Sequence, residues 1–150
     1  MDRRIWFLDT CVTIRVSFED GSSDISVLEH LARKGDSPPL HIHETEDEIF
    51  HILEGKCRVH IDGKETVVTP GDILIVQRGT PHTYRVESET TRFLTITGGR
   101  DFEKLVRSVG RPAEGEGLPE KSKPPTPEQV AALESACKQC GIVFVGPPLT

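Results

Sequence analysis

Apolar and polar residues alternate with a period of two through most of the first hundred positions. Val12, Ile14, Val16 and Phe18 are separated by Thr13, Arg15 and Ser17, the pattern of a strand with one face buried. A shorter apolar stretch, Trp6 to Leu8, precedes it, and the turn Asp20-Gly21-Ser22-Ser23 leads into a strand over Ile25 to Ala32. Beyond Gly55, Cys57 to Ile61 alternates up to the hairpin signal Asp62-Gly63, and Glu65 to Thr69 returns as far as Pro70-Gly71-Asp72. Ile73 to Val76 is continuously apolar and reads as a strand covered on both faces. His82 to Glu87 and Arg92 to Thr97 close the series. Roughly nine or ten short strands, punctuated by turn residues, predict an all-β barrel or jelly roll.

After Gly98-Gly99 the period changes. Phe102, Leu105, Val106 and Val109 recur at helical spacing, so Asp101 to Val109 is expected as a short amphipathic helix capped by Asp101. Arg111 to Pro125 is rich in Pro, Gly, Glu and Lys and reads as a linker or surface loop. Thr126-Pro127-Glu128-Gln129 starts a second helix that runs through Val130, Leu133 and Cys137 and stops at Gly141. Ile142 to Val145 is too apolar for a free tail and is expected to pack on the barrel or on a second subunit. The chain therefore divides into a barrel, residues 1–100, and a C-terminal helical extension with its tail, residues 101–150.

A chain of 150 residues can bury a core without staples. Its net charge is −6, and its Lys and Arg residues are dispersed, which excludes a phosphate-backbone footprint and so nucleic acid as a partner. No apolar run approaches the roughly 20 residues that span a bilayer, and the start, Met1 to Trp6, is too short in apolar residues for a signal peptide. The expected location is the cytoplasm, where Cys11, Cys57, Cys137 and Cys140 stay free thiols. The Cys137-Lys-Gln-Cys140 motif has no second pair to complete a zinc ribbon and no βαβ pattern around it.

The candidate chemistry lies between Gly35 and Gly55. On an extended strand His41 and His43 share a face while Ile42 points away, and two imidazoles on one face invite a metal. After the polar bend Glu44 to Asp47, Glu48 opens the next strand on the face of Phe50 and Ile52, so one hairpin is expected to supply three ligands. The fourth is His82, just after Gly79-Thr80-Pro81. Glu44, Glu46 and Asp47 read as a solvated loop, although a slipped register would make one of them the carboxylate ligand. His51 and His60 fall on the opposite face, and His30 has no assigned role. Phe50, Ile52, Val59, Ile75 and Tyr84 are candidate pocket-lining residues, with ordinary barrel core as the other reading. Three neutral imidazoles and a carboxylate suit one divalent transition metal (Fe, Mn, Co, Ni, Cu or Zn), leaving one or two positions open for substrate or dioxygen.

These residues carry a resemblance to the cupin superfamily. Gly35, His41, His43, Glu48 and Gly55 match its first motif without a gap. Gly71, Gly79 and His82 match its second, in which Gln77 stands for the usual proline and Val86 for the usual asparagine. The tail, a helix followed by a Gly-Pro-Pro ending, is similar to that of small bacterial cupins of the quercetin 2,3-dioxygenase-like group. The resemblance implies a double-stranded β-helix and a metal held by His41, His43, Glu48 and His82. It also implies a small-molecule substrate, enolisable or phenolic, attacked by dioxygen, with Glu48 able to take the hydroxyl proton. A homodimer would supply the second copy of a domain that two-domain relatives carry in one chain. A non-catalytic binding barrel and a cupin isomerase are the alternative functions.

Overall fold

The computed structural model describes residues 3–150; Met1 and Asp2, which begin both the expected barrel and the stretch read against a signal peptide, lie outside the described residues. The strands are β1 (Arg4–Phe7), β2 (Thr10–Val16), β3 (Ile25–Arg33), β4 (His41–His43), β5 (Glu48–Glu54), β6 (Cys57–Ile61), β7 (Lys64–Val68), β8 (Ile73–Val76), β9 (His82–Val86) and β10 (Thr90–Gly98). There follow α1 (Asp101–Val109), β11 (Arg111–Pro112), α2 (Pro127–Gln139) and β12 (Ile142–Phe144). They form two antiparallel sheets, one in the order β11-β1-β2-β3-β10-β5-β8 and one in the order β12-β4-β9-β6-β7. The expected all-β double-stranded β-helix is present.

Alternation places Phe50 and Ile52 of β5, Val59 of β6, Val86 of β9 and Phe93 of β10 between the sheets, where they form the main core with Ala32, Cys57, Val68 and Val76. A second cluster, Ile5, Val12, Ile14, Leu28 and Val106, seats α1 on the larger sheet. The tight turns fall where the sequence carries them. Asp62 and Gly63 both adopt positive φ, 47° and 82°, the conformation of a two-residue hairpin turn. At Gly55 (φ +83°) a Cβ would lie 2.4 Å from the Thr90 carbonyl oxygen, so only glycine fits.

Three expectations need correction. The apolar run β8 is an edge strand bonded only to β5, so its alternate residues face outward: Ile73 is 61% and Ile75 56% exposed. Ile75 therefore does not line the interior. The strands β4 and β5 are not a hairpin; they lie in different sheets, and residues 44–47 cross from one sheet to the other. At α1 the N-cap is Arg100, with no side-chain capping bond, and the free Phe102 N–H is met by Glu46 Oε1 at 2.9 Å. By contrast α2 starts with the Thr126/Gln129 capping box and Pro127. The proline-rich segment after β11 lies along the barrel: Trp6 Nε1 donates to Gly117 O (3.0 Å), Arg33 to Pro119 O, and Ser122 to Asp9. Among the described residues no helix is long and apolar enough to cross a membrane.

Candidate metal centre

β4 and β9 are neighbours, and His41 stands directly opposite His82. Because His43 shares the face of His41, three rings meet: centroid separations are 4.3 Å for His41–His82 and 5.1 Å for each of the other two pairs. Among the described residues these three could hold a metal ion, their ligand atoms all lying within 4.8 Å of one another. Glu48 opens β5 on the facing sheet, with Oε1 3.3 Å from His82 Nε2 and Oε2 3.8 Å from His43 Nε2. It stands beside two of the three histidines rather than within that mutual distance of all.

Hydrogen bonds fix the tautomers. His41 Nδ1 lies 2.7 Å from Pro39 O and His82 Nδ1 2.9 Å from Thr80 O. A carbonyl only accepts, so each Nδ1 carries the proton, and in a neutral ring Nε2 is left with a bare lone pair. His82 Nε2 is buried and has no aligned hydrogen-bond partner, although the Glu48 carboxylate is 3.3 Å away. Lone pair facing anionic oxygen is repulsive unless a proton or a metal cation lies between them, and in the metal-free protein Glu48 strengthens the hold of His82 on that proton. The donor set and this orphaned nitrogen both fit a metal cation.

The electrostatics show the same pull of Glu48 on positive charge. Burial pushes the Glu48 carboxyl up, but His43 and His82 outweigh it and hold it down to about 2. Burial, reinforced by His82 and His43, lowers His41 to about 3. Burial lowers His43 as well. At His82 the burial that would lower the ring is overcome by Glu48, which raises it.

Residues 27–97 match the cupin domain family. This segment is a cupin domain. Over 86 residues the chain is 38% identical to the quercetin 2,3-dioxygenase of Bacillus subtilis, a match covering 57% of this chain and 26% of that protein, so it spans about a quarter of that relative's length. Among solved structures it is similar to a predicted oxalate decarboxylase from Thermotoga maritima (TM-score 0.55, 26% identity, 59% of this chain and 78% of that one). It is also similar to the polyketide cyclase RemF from Streptomyces resistomycificus (TM-score 0.53, 26% identity, 63% and 68%).

The cupin domain has features around the histidines that the alternation did not indicate. Glu46 is not a solvated loop residue: it is 3% exposed, its Oε1 caps α1 and its Oε2 has no partner. Burial pushes its carboxyl up to about 7. A Cβ at position 99 would lie 2.4 Å from Glu46 Oε2, which is why the chain passes here as Gly99. Phe102, the residue whose N–H Glu46 holds, places its ring centroid 5.5 Å from that of His43, edge-on, and 6.0 Å from that of His30, nearly parallel. His30 itself lies parallel to Phe93 at 4.8 Å, bonds Thr95 Oγ1 at 2.9 Å, and is pushed down to about 4 by burial. It is a core histidine at the edge of the site.

The remaining candidates fall elsewhere. Phe50, Ile52, Val59 and Tyr84 meet Cys57 and Phe93 in the barrel interior and leave no room for a water molecule between them. His51 and His60 are apart from the cluster, with His60 Nδ1 3.9 Å from Glu65. All four cysteines are free, and Cys137, packed on Leu105 and Ile142, has its thiol pushed up to about 11 by burial.

Proposed function

We propose that this cupin is a metal-dependent oxygenase of a small enolisable or phenolic substrate. His41, His43, His82 and Glu48 would hold one divalent transition metal, His41 and His82 through the Nε2 atoms that their backbone-bonded Nδ1–H groups leave free. The observation that carries the reading is the bare, buried Nε2 of His82 facing the Glu48 carboxylate at 3.3 Å. The 38% identity to a quercetin 2,3-dioxygenase supports the oxygenase class. A bound metal supplies Lewis acidity and a position for dioxygen. Glu48 would accept a substrate hydroxyl proton, and His41, less deeply buried than His43 and His82, marks the side from which substrate enters.

The apolar interior beside the site is filled, with no room for a ligand among Phe50, Ile52, Val59 and Tyr84; this keeps a second reading in view, a cupin that binds or isomerises a small molecule without oxygen. A second copy of the chain belongs to the proposal, supported by the exposed Val16, Ile25, Ile73 and Ile75 of the larger sheet.

The test is to strip the protein with a chelator, reload it in turn with iron, manganese, cobalt, nickel, copper and zinc, and follow metal content and oxygen uptake over a panel of enolisable compounds. Near-stoichiometric metal with uptake restored by one ion is expected. Bound metal with no uptake on any compound would move the chain to the binding or isomerase class.

A further inference from the structure

The strand that carries two of the three histidines has little of its own to hold it. β4 is three residues long and meets β9 in register only where His41 faces His82. Its other edge is covered by β12, with Ile142 opposite His43, Val143 opposite Ile42 and Phe144 opposite His41. The attachment runs on past both ends. Val145 N–H (2.8 Å) and Gly146 N–H (3.2 Å) donate to Leu40 O, Leu40 N–H donates to Pro147 O (3.2 Å), and Glu44 N–H donates to Gly141 O (2.8 Å). In the crossing that leads on to Glu48, Thr45 Oγ1 donates to Asp101 Oδ2 at 2.6 Å and Glu46 holds the N–H of Phe102. From residue 40 to residue 46 the backbone and side chains are tied mostly to the C-terminal extension.

The clamp end of these bonds is itself anchored. Ile142 is 3% exposed and packs with Leu105 of α1 and Cys137 of α2. Gly141 takes φ +70°, the left-handed turn by which the chain leaves α2 and enters β12. Gly146 passes so close to Leu40 that a Cβ would lie 3.1 Å from that side chain.

We propose that Gly141–Pro147 is a clamp that closes the sheet edge at β4 and so sets the positions of His41 and His43 against His82 and Glu48. An edge strand of three residues with one register pair is prone to local opening, and a metal site tolerates displacements of only about 0.5 Å. Val145 and Gly146 are thus positioning residues, acting on the site through β4. The effect on metal affinity rests on the metal reading above; the effect on β4 does not.

The experiment uses Val145→Pro in the full chain. It removes the donor to Leu40 O, and the 46% exposed side chain of Val145 leaves little packing to lose. Amide exchange is measured on the metal-free protein, and nickel(II) affinity by chelator competition. Exchange at residues 40–44 is expected to speed up about tenfold while β3 and β10 stay unchanged, and nickel binding to weaken about tenfold. If Val145→Pro does not fold, Gly146→Ala, which crowds Leu40 without removing a donor, carries the same expectations. Unchanged exchange at 40–44 overturns the clamp, and faster exchange with unchanged nickel affinity overturns its positioning role. If the wild-type chain takes up no nickel or other metal, the metal reading fails, and the exchange result alone decides whether the clamp exists.

Discussion

Asp36, next to Gly35 at the bend between β3 and β4, offers a sharp test of the electrostatics of the barrel end away from the histidines. Burial and the charge of Asp9 push its carboxyl up to about 6, against Arg33 and the Tyr84 hydroxyl, which favour the charged form. The folded state therefore prefers the protonated acid. That preference costs nothing below the ordinary carboxyl value of 3.8, grows as pH rises from there to about 6, and is constant above. At about 1.36 kcal/mol per unit the shift is worth roughly 3 kcal/mol, and solvent screening at a half-buried site brings it to about 2. Asn has the same shape, cannot ionise, and still accepts from Tyr84. Asp36→Asn should match the wild type near pH 4 and exceed it by about 2 kcal/mol at pH 7, or about 4–8 °C in Tm. Urea unfolding followed by circular dichroism at both pH values measures this, and taking the difference between the two proteins cancels the titration of every other group. Equal stability differences at pH 4 and pH 7 would refute the reasoning; a variant that is weaker only at pH 7 would show that the Arg33 attraction outweighs burial.

Other consequences are simpler. His82→Ala should abolish stoichiometric metal uptake while the metal-free protein keeps its β-rich circular dichroism; retained uptake would remove His82 from the ligand set. Glu103 is fully buried and accepts from Ser17 Oγ (2.7 Å), Ser26 Oγ (2.8 Å), the Phe18 N–H (3.1 Å) and Arg107 Nε (3.0 Å). Glu103→Ala strands these donors and should cost about 3–5 kcal/mol in urea unfolding, so a loss under about 1 kcal/mol would mean that water replaces the carboxylate. For the proposed second copy, sedimentation equilibrium should give twice the 16.6 kDa of one chain, and Ile75→Lys on the exposed sheet face should lower it; a single-chain mass for the wild type would end that proposal.

The ten strands up to Gly98 were legible because alternation and turn glycines are local signals, and the spacing of His41, His43 and His82 brought out the cluster that the sheet assembles. What escaped the sequence depends on distant parts of the chain. Ile73 to Val76 reads as doubly covered because its composition is apolar, but coverage follows from where a strand lies in its sheet, and an edge position leaves Ile73 and Ile75 outside. The mistaken cap has the same origin. Asp101 has the right chemistry at the start of α1, yet it bonds Thr45, and the cap comes from Glu46, 56 residues before the N–H it holds. Nothing in the polar stretch Glu44 to Asp47 distinguishes Glu46 from its exposed neighbours, because its burial is created by α1 folding over it.

The distribution of buried charge explains why the extension belongs to the site. One end of the barrel interior is filled by Phe50, Ile52, Val59 and Phe93 and needs no polar partners. The other holds Glu48, Glu46, His30, His43 and His82, each under 9% exposed. Such groups are costly to bury unless bonded or paired, and the strands alone do not supply the partners. Glu46 finds its bond on α1, His30 gains the Phe102 ring, and the histidine strand finds its second edge in β12. Glu48 and the His82 nitrogen still face each other across 3.3 Å and need a positive charge, a proton or a metal, between them. A cation there would also join the sheets, since Glu48 comes from one and the three histidines from the other. Metal loading should therefore raise the unfolding temperature as well as enable chemistry.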